Sequence, residues 1–386
     1  MMRFLILLAL VLITSPLMAQ DNQLKPLPDV QSLDLQTFVS QSTEINKTFE
    51  DDRFINFSVQ LPNSFEEKNP DLLKNEVRND RLYGEIYRSN GLMVDDVYPY
   101  FSLKSFLLDR AISAKNWLVS TMLRDGNTLR SLESNDQDDT FEALYVRFGE
   151  LDNTEVVRAK GYLRGPRMIV AEYVLPVSLW SEQADYQTYA IKSFELKDLN
   201  DDEPIEVMKS YSYLNSFSML YPESWIMGKD VKTDENRIDL SLKSAGKLRV
   251  VFANIDISVV STRSLQDAVD RSVYPTKIPD IINARKDAVI AQDFIIGDLM
   301  ERHKYDLAID SKLQVTEVYP LRKKLTDYVT HREAPVSKEF WVTVVKGTDE
   351  SGKSYILSMV LPSRDKDLDN WALGTKAYEL MIESIR

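Results

Sequence analysis

One pattern occurs twice in this chain. Phe57-Ser58-Val59-Gln60-Leu61-Pro62-Asn63-Ser64-Phe65 returns 160 residues later as Phe217-Ser218-Met219-Leu220-Tyr221-Pro222-Glu223-Ser224-Trp225. Each copy also ends alike. Val174-Leu175-Pro176 leads to Trp180, Ile191, Ser193 and Phe194, and Val360-Leu361-Pro362 leads to Trp371, Ile382, Ser384 and Ile385, with 14 residues from Trp to the last apolar position in both. A duplication of this length implies two tandem domains, since each copy is long enough to bury a core of its own. Nothing in the repeated residues is a reactive group, so the repeat constrains architecture and leaves chemistry to be sought elsewhere.

The ends and the composition narrow the setting. Residues 1–19 read as an export signal: Met1-Met2-Arg3 is a short basic start, an apolar run follows over residues 4–13, and Leu17-Met18-Ala19 offers a cleavage site. No later stretch approaches the roughly 20 apolar residues of a membrane helix, so no integral membrane segment is expected after cleavage. The chain has no cysteine, which rules out disulfides, and export without them suggests a bacterial periplasm. The formal net charge of −13 is spread over both copies and opposes binding to nucleic acid.

Residues 20–50, with Pro26 and Pro28 among many polar residues, read as an extended arm with one short helix near residues 33–39. Residues 51–196 form the first domain. Residues 197–209, an acidic stretch broken by Pro204, form a linker, and residues 210–386 form the second domain. Apolar spacing over residues 102–123 predicts a long amphipathic helix. Residues 157–163 predict a half-exposed strand, joined through Arg164-Gly165-Pro166-Arg167 to a buried one, and the short turn requires antiparallel pairing. The second copy repeats this hairpin, and its helix equivalent is expected to be cut short by Pro275 and Pro279. Residues 294–332 are a longer middle of two or three strands, with a hairpin around Tyr319-Pro320. Both copies close with a helix whose Trp and last apolar residue share one stripe.

These residues resemble the PsbP/Mog1-like fold. The form Phe-Ser-x-x-Tyr-Pro-x-x-Trp is carried by Phe217, Ser218, Tyr221, Pro222 and Trp225, and the ending of Pro, Trp, helix and Ile-x-Ser-Phe by Pro176, Trp180, Ile191, Ser193 and Phe194. The resemblance includes the bacterial periplasmic DcrB-like branch. It implies an α+β fold of two tandem domains, each a central antiparallel sheet flanked by helices. It also implies an accessory or assembly protein that binds a protein partner and not an enzyme, and it transfers no catalytic residue.

Chemistry is sparsely represented. His303 and His331 are the only histidines, and no Gly-x-Ser-x-Gly, phosphate loop, dinucleotide fingerprint or His-Glu-x-x-His occurs. Asp198-x-Asn200-x-Asp202 and Asp365-x-Asp367-x-Asp369 begin like calcium loops but lack the glycine and the final glutamate. No catalytic residue, metal or cofactor is therefore assigned. Exposed aromatics beside arginine mark interfaces, which makes Tyr98, Tyr100 and Phe101 in the first copy, and Tyr319 and Arg322 in the second, the candidate partner-binding residues. The expected function is an exported, non-catalytic accessory protein of the bacterial cell envelope. The alternatives are an envelope hydrolase using paired carboxylates and a two-lobed small-molecule binding protein.

Overall fold

The structure, a computed structural model, describes residues 24–94, 97–149, 153–198, 201, 203–213, 217–228, 232–234, 237–244, 251–261, 274–307, 312–324, 334–346 and 353–385. The first half contains α1 (Leu35–Ser40), β1 (Ser42–Lys47), β2 (Phe57–Pro62), β3 (Glu66–Glu67), β4 (Asn75–Arg78), β5 (Arg81–Asn90), β6 (Tyr100–Leu107), α2 (Ala114–Arg124), β7 (Thr128–Asn135), β8 (Thr140–Phe148), β9 (Thr154–Arg164), β10 (Arg167–Pro176), α3 (Val177–Ser193) and β11 (Glu195–Leu196). The second half contains β12 (Met208–Tyr213), β13 (Phe217–Pro222), β14 (Trp225–Met227), β15 (Lys232–Asp234), β16 (Arg237–Ser244), β17 (Asn254–Ser261), α4 (Tyr274–Ile290), β18 (Phe294–Ile296), β19 (Glu301–Leu307), β20 (Lys312–Lys323), β21 (Val336–Lys346), β22 (Lys353–Pro362) and α5 (Leu368–Ser384).

The fold is α+β, with two large antiparallel sheets in tandem. The first runs β3-β5-β6-β10-β9-β8-β7 with β4 on β5, and the second runs β14-β16-β17-β22-β21-β20-β18 with β15 on β16 and β19 on β20. Strand for strand the orders match, and β18 is the addition. Two smaller sheets, β1-β2-β11 and β12-β13, lie at the start of each half. Both faces of each large sheet are covered. In the first, Phe101, Leu103, Ala171 and Tyr173 face α3, while Ala143, Val157, Ala159 and Val170 face α2. In the second, Ile257, Leu357 and Met359 pack with Tyr378 and Met381 of α5, while Val260, Val342 and Ile356 pack with Ile281 and Val289 of α4. The halves are not isolated: Ala372 of α5 is fully buried in the cluster under α2, with Trp371 and Leu373 against it.

The repeated residues at the two ends of each copy meet. The Ser193 hydroxyl at the end of α3 accepts a hydrogen bond from Gln60 N of β2 at 2.9 Å, and Ser384 at the end of α5 accepts from Leu220 N of β13 at 2.8 Å. Each hydroxyl donates back to its own helix, to the Ala190 and Met381 carbonyls, both at 2.8 Å. Phe194 and Ile385 cap their helices and are buried at 0% and 2% exposure. The serine thus fastens the last turn of the helix to a strand of the small sheet. The residue after it fills the core.

Several expectations are corrected. The long helix over residues 102–123 is strand β6 followed by the shorter α2, which begins where Ser113 Oγ accepts from Asn116 N at 3.3 Å. An interior strand is apolar on both faces, and such a run mimics helical spacing. Strand β9 is mostly buried and not half exposed. Its Arg158 is enclosed at 2% and held by Glu142 and Thr188. Residues 42–47, placed in the arm, form β1 paired along its length with β2. Pro275 and Pro279 do not cut α4 short: Pro275 sits in its first turn, where a missing N–H costs least, and the helix runs on past Pro279 to Ile290. Tyr319-Pro320 is mid-strand in β20, not a hairpin. In the acidic linker, Asp201 accepts two hydrogen bonds from Arg81 of β5, at 2.8 and 3.0 Å.

A charged cluster sits in the first sheet beside the α2 face. Glu172 of β10 receives Lys104 at 2.7 Å, the Tyr145 hydroxyl at 2.7 Å and Arg147 at 3.2 Å. Burial alone would raise this carboxyl, but Lys104 and Arg147 outweigh it and hold Glu172 well below the usual carboxylate range. A depressed folded-state value gives stability that is present above the unfolded value of about 4.3 and drains away as pH falls toward the folded one. Urea unfolding should therefore show Glu172→Gln less stable than wild type by about 2 kcal/mol above pH ~5, with the gap closing as pH falls below 4. Ser193→Ala and Ser384→Ala should each cost about 1 kcal/mol in the same assay, because each leaves a strand amide without its acceptor.

Candidate functional site: a groove beneath the second closing helix

The sequence-derived contact residues are not brought together. Tyr98 is 45% exposed, but Tyr100 and Phe101 begin strand β6 and are buried at 8% and 0%. The Tyr100 hydroxyl accepts from Arg147 at 2.6 Å, and Arg88 lies 3.8 Å above its ring. Phe101 packs among Phe57, Tyr87 and Phe194. These two are core residues, since the strand starts earlier than loop-like Asp95-Asp96-Val97 suggests. Tyr319 is half-buried on β20, with Lys286 4.2 Å from its ring and its hydroxyl donating to Glu317 at 2.6 Å. Arg322 borders a shallow groove of about 580 Å³ with Pro320, Lys323, Lys324, Gly297 and Met300. His331, Asp95 and Asp96 lie outside the described residues.

A better-formed groove lies where α5 crosses β19, β20 and β21. It measures about 330 Å³ and is lined by His303, Gln314, Thr316, Trp341, Tyr378, Glu379, Ile382 and Glu383. Its floor is a closed set of hydrogen bonds: the Tyr378 hydroxyl donates to the Leu357 carbonyl at 3.0 Å and lies 2.9 Å from Thr343 Oγ1, which is 2.9 Å from Thr316 Oγ1. Burial pushes the Tyr378 phenol up, so it stays neutral and fixed. One side is anchored by Glu339, which is only 1% exposed. It accepts from the Trp341 indole at 3.0 Å, the Trp371 indole at 2.9 Å and Arg364 at 3.0 Å. Arg364 continues to Glu301 at 2.5 Å, and Glu301 to His303 at 3.1 Å. Burial would raise Glu301, yet Arg364 and His303 outweigh it and lower it.

The other wall is acidic. Glu379 and Glu383 are one turn apart on α5 and share a face. Loss of water raises the Glu379 carboxyl, Lys376 opposes that rise and Glu383 adds to it. Among the described residues, no group of three or more His, Cys, Asp or Glu side chains is placed to hold a metal ion. No helix there is long and apolar enough to cross a membrane. What the groove offers is an aromatic side, a rigid polar floor and two carboxylates facing outward. Sequence reasoning passed over it because its residues come from four separate elements. The one legible signal was Trp371, part of the repeated closing pattern.

In the first half the corresponding place is filled by the chain itself. Residues 25–33 run from the edge of β7 to α3. Lys25 bridges Ser131, Ser131 Oγ donates to the Pro26 carbonyl at 3.2 Å, and Leu27 N donates to Glu133 at 3.4 Å. Arg158 then donates to the Pro28 carbonyl at 2.8 Å, and Lys192 pairs with Asp29 at 2.7 Å. Asp185 of α3 accepts from the amides of Gln31, Ser32 and Leu33 at 2.9, 2.8 and 2.9 Å. These three amides hold its carboxyl low against a burial effect that would raise it. Asp185→Asn should loosen the arm: limited proteolysis is expected to cut within residues 24–33 several-fold faster than in wild type, with the remainder of the chain intact.

No protein-family model matches the chain, and no curated protein is significantly similar to it. Among solved structures it is similar to cyanobacterial PsbP (CyanoP) from Synechocystis sp. PCC 6803, at 14% identity and a TM-score of 0.28, over 45% of this chain and 99% of that one. It is also similar to a protein from Bacteroides thetaiotaomicron, at 11% identity and a TM-score of 0.25, over 47% of this chain and 53% of that one.

Proposed function

We propose that this chain is an exported, non-catalytic accessory protein of the bacterial cell envelope, a tandem relative of the periplasmic DcrB-like branch, and that it docks on a protein partner through its second half. The export signal and the lack of cysteine support the location. The observation that carries the binding role is the contrast between the two closing-helix grooves. One is occupied by residues 25–33, and the other carries Trp341, Glu379 and Glu383 with nothing from the described residues laid across it. Aromatic and charged residues around a rigid floor are what a partner's side chains anchor on. A photo-crosslinking residue placed at Gln314, which lines the groove, should capture one reproducible envelope protein in the native host. The same residue at Phe148, 81% exposed in the first half, should not, and equal capture at both positions would contradict the proposal.

A second reading, an envelope hydrolase, draws on Glu379 and Glu383, two carboxyl groups one turn apart on the groove wall, because paired carboxyls are the parts of acid–base hydrolysis. Turnover of an envelope glycan that disappears in both Glu379→Gln and Glu383→Gln would establish that reading in place of the first.

A further inference from the structure

The registers of the two halves can be laid over each other residue by residue. Leu175 and Leu361 each precede the proline that ends the strand before the closing helix. Counting back along β10 and β22, Tyr173 corresponds to Met359, and their neighbours across the sheet are Arg158 and Trp341. The next strands place Glu142 with Thr316 and Thr140 with Gln314. The edge strands place Glu133 with His303. Along the helices, counting from Trp180 and Trp371, Gln187 corresponds to Tyr378, Thr188 to Glu379, Ile191 to Ile382 and Lys192 to Glu383. Gln187 performs the task of Tyr378, donating to the Tyr173 carbonyl at 2.7 Å and the Val156 carbonyl at 3.0 Å. Every residue lining the second groove therefore has a partner position in the first.

Together with Ser131 and Asp185, three of those first-half positions, Glu133, Arg158 and Lys192, hold the arm. In the second half they become His303, Trp341 and Glu383. The segment that would supply a second arm is absent by construction of the repeat, since the residues ahead of β12 are spent on α3, β11 and the linker tied to Arg81. The groove has kept its shape and lost its occupant. Its charge has also been inverted: Lys192, which receives Asp29, is replaced by Glu383, and Asp185, which receives three arm amides, is replaced by Lys376.

From this, and resting on the binding role argued above, we infer that the second groove binds an extended peptide segment of the partner, laid along α5 as residues 25–33 lie along α3, with a lysine or arginine meeting Glu383 and a proline or aliphatic residue against Trp341. Charge complementarity selects the cation. The Trp341 indole replaces a guanidinium that held the Pro28 carbonyl, and so exchanges a polar contact for an apolar one. The chain's own arm is a poor occupant, because Asp29 would face Glu383 and Glu379.

The arm itself supplies the probe. A synthetic ten-residue peptide with the sequence of residues 24–33 and the change Asp29→Lys is titrated into the intact mature protein, and compared with the unchanged peptide by calorimetry and by tryptophan emission. The lysine peptide should bind, and the native one should bind at least about fivefold more weakly. Glu383→Lys, a surface change whose folding is checked by thermal unfolding, should reverse the order of the two peptides. Binding of neither peptide, or the same order in wild type and Glu383→Lys, would overturn the inference. Tighter binding of the native peptide, accompanied by a dimer that disappears when residues 20–33 are removed, would assign the groove to the arm of a second copy and also overturn it. If photo-crosslinking at Gln314 still captures one envelope protein while the peptides fail, the binding role stands and only the extended basic segment is refuted.

Discussion

Each half of this protein depends on how its closing helix is fastened. A sheet of seven or more strands exposes two apolar faces, and a 17-residue helix can cover one of them only if both of its ends are held. At the start, the chain leaves the central strand through a proline-ended β10 or β22, directly into α3 and after a five-residue turn into α5, bringing Trp180 or Trp371 against the sheet. At the end, Ser193 or Ser384 takes an amide of the small sheet and the next residue is buried. A lone hydrogen bond contributes little, about 1 kcal/mol, but here it ties the closing helix back to a strand near the start of its copy. The helix's outer side then forms a groove with the far strands, and the two copies use that groove differently.

The use differs because the surroundings differ. The first copy is preceded by an arm with prolines, which suit an extended path, and with carbonyls and an aspartate that Arg158 and Lys192 can hold. The second copy is preceded by the first copy's own closing helix, so no arm is available to it. Elsewhere the same positions have been rebuilt for enclosure. Glu339, in the place of Val156, collects two indoles and a guanidinium, whereas the first sheet concentrates its charge in Glu172, Lys104 and Arg147. Buried charge of this kind is stable only when every partner is present. Accordingly each carboxylate is met by several donors at once, from β6 and β8 for Glu172 and from β21, α5 and the loop before α5 for Glu339.

Much of this was legible in the residues. The duplication, the hairpin of the two long strands and both closing helices could be read from recurring Leu-Pro, Trp and Ser positions, because those residues act through local geometry that repeats with the sequence. The boundary between β6 and α2 was not legible, since a strand buried on both faces carries the same apolar density as a helix. Residues 42–47 looked like part of a polar arm because an edge strand of a small sheet shows only weak alternation: their burial runs from half-buried to exposed, with no fully buried position. Tyr100 and Phe101 looked like surface anchors for the same reason that Arg158 looked exposed. Composition states what a side chain prefers, and only the fold states which groups are present to satisfy it. The groove itself was beyond reach because its lining residues are scattered from His303 to Glu383 and meet only through sheet register.

The account turns on the arm being seated in the first groove. Asp29 and Lys192 lie 2.7 Å apart, and both side chains are open to solvent at 80% and 47%. A carbodiimide, which joins a carboxylate to an amine only when they already touch, tests this directly on the unaltered protein. Peptide mass mapping should find an amide linking Asp29 to Lys192 in the native protein and none after unfolding in urea. Coupling of Asp29 to scattered lysines, or to none, with Lys192 left unlinked, would contradict the seat and with it the reading of the second groove as the same site left open.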